Sequence, residues 1–258
     1  MVVVASTLLF FANLLPFVMM LLLPLFAILL FAYQYYVQKN KAVIFTICWV
    51  SAVAIGVFAS IYRPAGFAYP LVFHANELHS GGLPFDLYIN IAKALAGYII
   101  VFFLVKYEHG DAYVISPVKQ LLLIMFFASV ALFCAYFLLD LKFYVKDVKY
   151  IALFGAVNLL VTCVAEEAFM RILLQDQITR FFRKIISYKF SPEFLSLFLT
   201  TIIFVLIHAI HGMDIICVYA VAGFLYGLIY LLTKNLFMAI VVHFIVNIMH
   251  FSLLTYPI

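Results

Sequence analysis

Residues 150–174 read YIALFGAVNLLVTCVAEEAFMRILL, an apolar stretch in which the charged side chains are Glu166, Glu167 and Arg171. An α-helix needs roughly 20 apolar residues to cross the hydrocarbon core of a bilayer, so this stretch is long enough to span a membrane. Ionisable groups inside such a span are costly, and they usually face a polar interior and have a function. The stretch therefore predicts a transmembrane helix that carries a buried polar site.

The composition of the whole chain also indicates that the protein lies in a lipid bilayer. Of the 258 residues, 69% are hydrophobic and 10% are charged, whereas soluble domains average roughly 45–50% and 25%. These proportions exclude a soluble fold, a disordered chain and a disulfide-stapled mini-protein. They predict an integral, multi-pass membrane protein surrounded by the lipid bilayer. The net charge of +4 is spread thinly along the chain, so no nucleic-acid partner is expected.

Hydropathy predicts an all-α, polytopic transmembrane bundle of about eight helices, and the polar residues inside its spans predict a site in the C-terminal half. The first span contains Pro16 and Pro24, which predict a kink or a split. Residues 63–84, rich in Gly, Pro and aromatic residues, predict a loop or a re-entrant element. The candidate spans lie near residues 7–33, 42–62, 85–105, 118–140, 150–174, 194–210, 215–233 and 236–255.

The chain is expected to divide into two parts, because the polar side chains inside predicted spans lie near its C-terminus. Residues 1–145 form N-terminal transmembrane helices of unassigned role, and residues 146–258 form the core that carries the site. The polar side chains are Glu166, Glu167, Arg171, His208, His211, His243, Asn247 and His250.

The spacing of these residues predicts their geometry. Glu167 and Arg171 are four residues apart, an interval that allows an ion pair along one helix. Glu166 is turned about 100° away from Glu167, so its carboxylate can point into a cavity. His243 and Asn247 are also four residues apart and share a helix face. An isolated histidine or asparagine in a span often only joins two helices, but a carboxylate, imidazoles and an amide together supply what hydrolysis needs.

Three short motifs in these spans resemble those of a known protease family. Residues 166–171 match EExxxR, residues 204–208 match FxxxH, and residues 243–247 match HxxxN. Together and in this order, they are similar to the CPBP family, the CAAX proteases and bacteriocin-processing enzymes that are also called Abi proteins. This family includes the Ras-converting type of intramembrane endopeptidase. The resemblance covers about residues 150–255.

The resemblance implies an intramembrane endopeptidase, a hydrolase that acts on a membrane-anchored or membrane-delivered protein or peptide. It implies a glutamate that activates water and a His/Asn pair that stabilises the oxyanion. The implied roles are water activation by Glu166 and His208, oxyanion stabilisation by His243 and Asn247, and ordering of the site by Glu167, Arg171 and Phe204. His211 and His250 lie three residues beyond His208 and Asn247, and from this position they are expected to support the site or to join helices.

Three alternatives stay open at the level of sequence. Glu166, His208 and His243 could supply one oxygen and two nitrogens to a divalent metal such as zinc, with an open fourth position. Asn247 is a poor zinc ligand and a good hydrogen-bond donor, which favours the metal-free mechanism without a cofactor. A non-catalytic immunity or scaffold protein would keep the fold without hydrolysis. A proton-coupled transporter would also place acids and histidines within the membrane.

Overall fold

The computed structural model describes residues 1–79, 81–105 and 115–256. Within these ranges the chain forms nine helices and one two-stranded sheet. The mostly helical class is confirmed, with nine helices in these ranges where about eight were predicted, and the two-stranded sheet was not predicted. The helices are α1 Val2–Phe11, α2 Phe17–Gln38, α3 Ala42–Ile61, α4 Ile91–Leu104, α5 Pro117–Leu138, α6 Val148–Ile185, α7 Ser191–Ile207, α8 Met213–Thr233 and α9 Leu236–Leu253. The strands are β1 Leu71–Ala75 and β2 Phe85–Tyr88.

Six helices in the described part of the chain are long and apolar enough to cross a membrane. They are α2, α3, α5, α6, α8 and α9, and each has a long apolar window with at most two charged residues. The apolar helices α1, α4 and α7 are shorter, at 10–17 residues. The protein is therefore an integral, multi-pass membrane protein, as predicted.

Two predicted spans differ from the observed helices. The span near 7–33 is split into α1 and α2, and Pro16 immediately precedes the second of them. Proline suits this place because its fixed φ fits the entry into a helix and its missing N–H is not needed there. The span near 85–105 begins with β2 instead of a helix. Helix α4 starts only after Asn90, whose side chain caps it by accepting a hydrogen bond from the Lys93 amide at 3.0 Å.

The stretch predicted as a loop or re-entrant element contains the first strand of a hairpin. β1 and β2 pair antiparallel, with Phe73 opposite Leu87 and His74 opposite Asp86. Phe73 and Leu87 are buried in a cluster with Phe154 of α6 and Phe251 of α9. The hairpin is thereby packed against two of the helices that carry the sequence motifs.

Helix α6 continues beyond its predicted end at residue 174. It contains two π-helical segments, Asn158–Cys163 and Ala168–Gln175, with a short α-helical segment between them that includes Glu166 and Glu167. π-Helical segments inside α-helices are frequent at functional sites. The predicted span ends just before the polar residue Gln175. The helix nevertheless continues through Gln175, because its side-chain amide is satisfied by donating to the carbonyl of Gly227 at 3.1 Å.

Glycine lets two helices approach α6 next to the glutamates. A Cβ atom on Gly97 of α4 would lie 2.4 Å from the Cα atom of Ala165, and one on Gly227 of α8 would lie 2.5 Å from Nη1 of Arg171. At Gly97 the backbone of Ala165 leaves no room for a larger residue unless a helix moves, and at Gly227 the side-chain end of Arg171 would have to shift. These contacts bring α4 and α8 close to the part of α6 that carries the charged residues.

We expect Gly97→Ala to destabilise the fold more than Gly155→Ala does. The added methyl group at Gly97 meets the backbone of Ala165, whereas at Gly155 it lies 3.2 Å from the mobile side-chain end of Ile248. Overpacking of this kind costs about 1–3 kcal/mol. Thermal unfolding in detergent micelles, followed by the fluorescence of the single tryptophan, Trp49, measures the difference. Equal melting temperatures of the two variants would contradict the close contact.

Candidate active site

A cavity of about 740 Å³ lies between the C-terminal helices and the hairpin. Its wall also includes residues of the N-terminal part, such as Arg63 and Ala131. The side chains of Glu167 and Arg171 are fully buried, outside the cavity lining. The predicted site residues that line the cavity are Glu166, Phe204, His208, His211, His243, Asn247 and His250.

Glu166 faces two histidines inside this cavity. Its Oε2 atom lies 3.9 Å from Nε2 of His208 and 3.9 Å from Nε2 of His243. Its other oxygen, Oε1, accepts a hydrogen bond from Nζ of Lys93 at 2.6 Å. The carboxylate is therefore held through one oxygen and presents the other to both imidazoles. A separation of 3.9 Å is too long for a direct hydrogen bond and suits a group that bridges the two atoms.

Both imidazoles are held through their Nδ1 atoms. Nδ1 of His208 donates to the carbonyl of Phe204 at 2.7 Å, and Nδ1 of His243 donates to Oε1 of Glu167 at 2.8 Å. Because these partners are acceptors, each neutral ring carries its proton on Nδ1. Each neutral ring therefore presents an unprotonated Nε2 towards Glu166.

The Glu167–Arg171 pair forms the buried support of the site. Nε of Arg171 donates to Oε2 of Glu167 at 2.8 Å, and neither side chain has exposed surface. Nη1 of Arg171 donates to Oε1 of Gln175 at 2.8 Å. Glu167 thus joins Arg171 to the His243 ring and connects α6 to α9.

Aromatic rings pack against the imidazole rings of His208 and His243. The ring of Tyr226 stacks on His243, with centroids 4.5 Å apart and planes 17° apart. His208 lies between Phe204 and Tyr219, at centroid distances of 4.4 and 4.8 Å. Tyr219 and Tyr226 were missed by the sequence-based prediction, since a tyrosine in an apolar span carries no signal that separates it from ordinary packing.

Lys93 was also missed, although the sequence contains a signal for it. It is a charged residue inside the predicted span 85–105. Charged residues are rare inside membrane spans, and Glu166 was selected as a candidate for this same reason. It comes from α4 in the N-terminal part of the chain and reaches Glu166 one helical turn from the close contact at Gly97.

We expect Lys93→Met to lower the turnover of the site by about 10- to 100-fold. A hydrogen bond to a charged group contributes about 1.5–3 kcal/mol, and each 1.36 kcal/mol of barrier is about tenfold in rate. Without the ammonium group, the Glu166 carboxylate loses its fixed orientation and its charge compensation. The kcat of the reaction at this site measures the effect, and Lys93→Arg, which keeps the charge, should retain more of the activity. An unchanged kcat in Lys93→Met would show that the ion pair has no role in catalysis.

The two histidines predicted as supporting residues differ in their surroundings. His211 is exposed, whereas Nε2 of His250 is buried and has no hydrogen-bond partner among the residues that the structure describes. Both line the cavity. Neither has an ion pair with Glu166 in this arrangement, whereas His208 and His243 face it directly.

The candidate zinc ligands Glu166, His208 and His243 do not form a metal site in this arrangement. Within residues 1–79, 81–105 and 115–256, no group of three or more His, Cys, Asp or Glu side chains has the spacing to hold a metal ion. In addition, the ammonium group of Lys93 lies 2.6 Å from the Glu166 carboxylate, and a positive charge there opposes the binding of a divalent cation. No step below is therefore assigned to a metal.

Comparison with protein families supports a protease. Residues 148–249 match the family model described as Type II CAAX prenyl endopeptidase Rce1-like. No match was found among curated proteins or among solved structures. The matched segment contains the EExxxR, FxxxH and HxxxN motifs and every residue that faces Glu166 from α7 and α9. The resemblance predicted from the motifs is confirmed, because residues 148–249 are similar to the CAAX prenyl endopeptidase family.

Proposed function

We propose that the protein is a CAAX-type intramembrane endopeptidase that hydrolyses a peptide bond of a membrane-anchored or membrane-delivered protein or peptide. The observation that carries this proposal is the position of Glu166, with Oε2 at 3.9 Å from Nε2 of both His208 and His243 inside one cavity. A carboxylate facing two imidazoles within a membrane-spanning bundle supplies a base beside polar groups that can meet a developing charge. The similarity of residues 148–249 to the CAAX prenyl endopeptidase family supports the same reaction.

The first step is the activation of water by Glu166 and His208. Oε2 of Glu166 and the unprotonated Nε2 of His208 are both acceptors, and at 3.9 Å apart they can each accept a hydrogen bond from the same water molecule. Glu166 takes a proton while the water oxygen attacks the carbonyl carbon of the peptide bond. Before this transfer, the ammonium group of Lys93 compensates the charge of the carboxylate.

The second step is the stabilisation of the oxyanion by His243 and Asn247. Because Nδ1 of His243 donates to Glu167, its Nε2 can donate to the oxyanion only when the ring is an imidazolium. The amide of Asn247, one turn further along α9, supplies a second donor. When the C–N bond breaks, the proton held by Glu166 passes to the leaving amine.

The substrate of this reaction can be found by its accumulation. We compare the membrane proteomes of cells that carry the wild type or Glu166→Gln, with Glu193→Gln as a matched control. Glu193 is also an ion-paired glutamate, bound to Arg183, but it does not line the cavity. A precursor that accumulates only in Glu166→Gln supports the protease. Identical proteomes would overturn it in favour of a scaffold protein or a transporter. A precursor with a prenylated CAAX terminus would extend the substrate class of the family name to this chain.

We expect chelation of metal ions to leave the cleavage rate unchanged. The mechanism above assigns every step to side chains of the protein, whereas the zinc alternative requires a bound metal. The test is the rate of precursor cleavage by protein in liposomes, with and without 1,10-phenanthroline. Loss of cleavage that added zinc restores would contradict the metal-free mechanism and leave the protease assignment standing.

A further inference from the structure

Strand β2 borders the same cavity that contains Glu166. All four residues of Phe85–Tyr88 line this cavity, and within the described ranges no residue of β1 does. Successive side chains of a strand point to opposite faces. A cavity that touches four consecutive residues therefore runs along the edge of the strand instead of along one of its faces.

This edge of β2 is free. β1 occupies the opposite edge, where Phe73 pairs with Leu87 and His74 pairs with Asp86. Outside this pairing, no backbone hydrogen bond of residues 85–88 to any other described segment is present. A free strand edge presents a row of backbone N–H and C=O groups to which another extended chain can add.

The hairpin is fixed relative to the catalytic helices. Phe73 and Leu87 are buried, and they share a cluster with Phe154 of α6 and Phe251 of α9. The rings of Phe154 and Phe251 stack with centroids 4.0 Å apart and planes 2° apart. The free edge of β2 is thus attached to the same two helices that carry Glu166 and His243.

We propose that the polypeptide substrate binds in extended conformation as a third strand along the free edge of β2 and continues from there to Glu166. This inference rests on the proposed function and specifies how its substrate is bound. Addition of a strand uses backbone hydrogen bonds for affinity and leaves side-chain selection to pockets along the cavity. An extended chain also exposes the carbonyl carbon of the peptide bond to the activated water.

The first test is photo-cross-linking in the Glu166→Gln background, in which the precursor stays intact. p-Benzoylphenylalanine replaces one tyrosine at a time. Tyr88 lies on β2, and Tyr219 lies beside His208 in the cavity. Tyr144 is the matched control, because it is as exposed as Tyr88 (41% against 37%) and does not line the cavity. We expect the precursor to cross-link at positions 88 and 219 and not at position 144.

Cross-linking at the three positions distinguishes a failure of binding along β2 from a failure of the proposed function. A cross-link at position 219 without one at position 88, or equal cross-linking at position 144, would overturn binding along β2 and leave the protease intact. The absence of an accumulated precursor would overturn the proposed function, and this inference with it.

The second test examines the backbone hydrogen bonds directly. The probe is a peptide that spans the cleavage site of the precursor, with a single backbone nitrogen methylated in each version. A strand added at an edge bonds to its neighbour through every second residue. We expect KM to rise roughly 3- to 10-fold at alternate positions, as the loss of one hydrogen bond each time implies. An equal effect at consecutive positions, or none, would overturn the strand-addition geometry.

Discussion

Replacement of Glu166 by glutamine is expected to lower the rate of peptide cleavage by about 10²- to 10⁴-fold, the usual contribution of a general base. Glutamine has nearly the same shape, and its amide oxygen can still accept a hydrogen bond from Lys93. It cannot take a proton from water, however. The kcat of purified protein in liposomes, with the accumulated precursor as substrate, measures the loss.

The matched control for this prediction is Glu193→Gln, which removes an ion-paired carboxylate outside the cavity. Its cleavage rate should stay close to that of the wild type. Both variants should stay folded, since neither change creates a void. A Glu166→Gln protein that cleaves as fast as the wild type would contradict the proposed role of this residue.

Replacement of Arg171 by methionine is expected to destabilise the protein by about 3–5 kcal/mol, the cost of leaving one partner of a buried ion pair without the other. Glu167 would then lose the guanidinium group that compensates its charge, at a position with no exposed surface. The guanidinium also donates to Gln175, which would lose this donor. Thermal unfolding in micelles can be followed through Trp49, whose indole donates to the carbonyl of Leu173 at 2.7 Å.

The double variant Glu167→Gln/Arg171→Met separates the charge from the loss of packing. Glutamine keeps an oxygen that can accept from Nδ1 of His243 and removes the unpaired charge. We therefore expect the double variant to recover a large part of the stability lost in Arg171→Met, and a double-mutant cycle gives the coupling energy. A melting temperature of Arg171→Met equal to that of the wild type would show that the buried pair does not support the fold.

Hydropathy predicted helix bounds accurately where the chain changes from apolar to polar residues at the end of the helix. Helix α3, Ala42–Ile61, and helix α8, Met213–Thr233, lie within two residues of their predicted bounds. Hydropathy failed where tertiary contacts determine the structure. The polar residues at the predicted end of α6 are satisfied by α8, as Gln175 is by Gly227. The apolar residues Phe85 and Leu87 form a strand because they pack in the hairpin cluster.

The site was predictable where its residues share a helix. The four-residue spacings of Glu167 with Arg171 and of His243 with Asn247 are visible in the sequence. The pairing of Glu166 with Lys93 joins residues of α6 and α4, and it depends on the approach that Gly97 allows. Spacing along the chain contains no information about that approach, so the N-terminal contribution to the site emerged only from the fold.

The most direct test of the proposed hydrolysis is to digest the accumulated precursor in water labelled with a heavy oxygen isotope. Purified wild-type protein in liposomes is used for this digestion. If water activated by Glu166 attacks the peptide bond, one heavy oxygen atom from the solvent appears in the new C-terminal carboxylate of the product. The same digestion with Glu166→Gln should yield almost no product. A precursor that stays intact with the wild-type protein, or product formed equally by both proteins, would contradict the proposed mechanism.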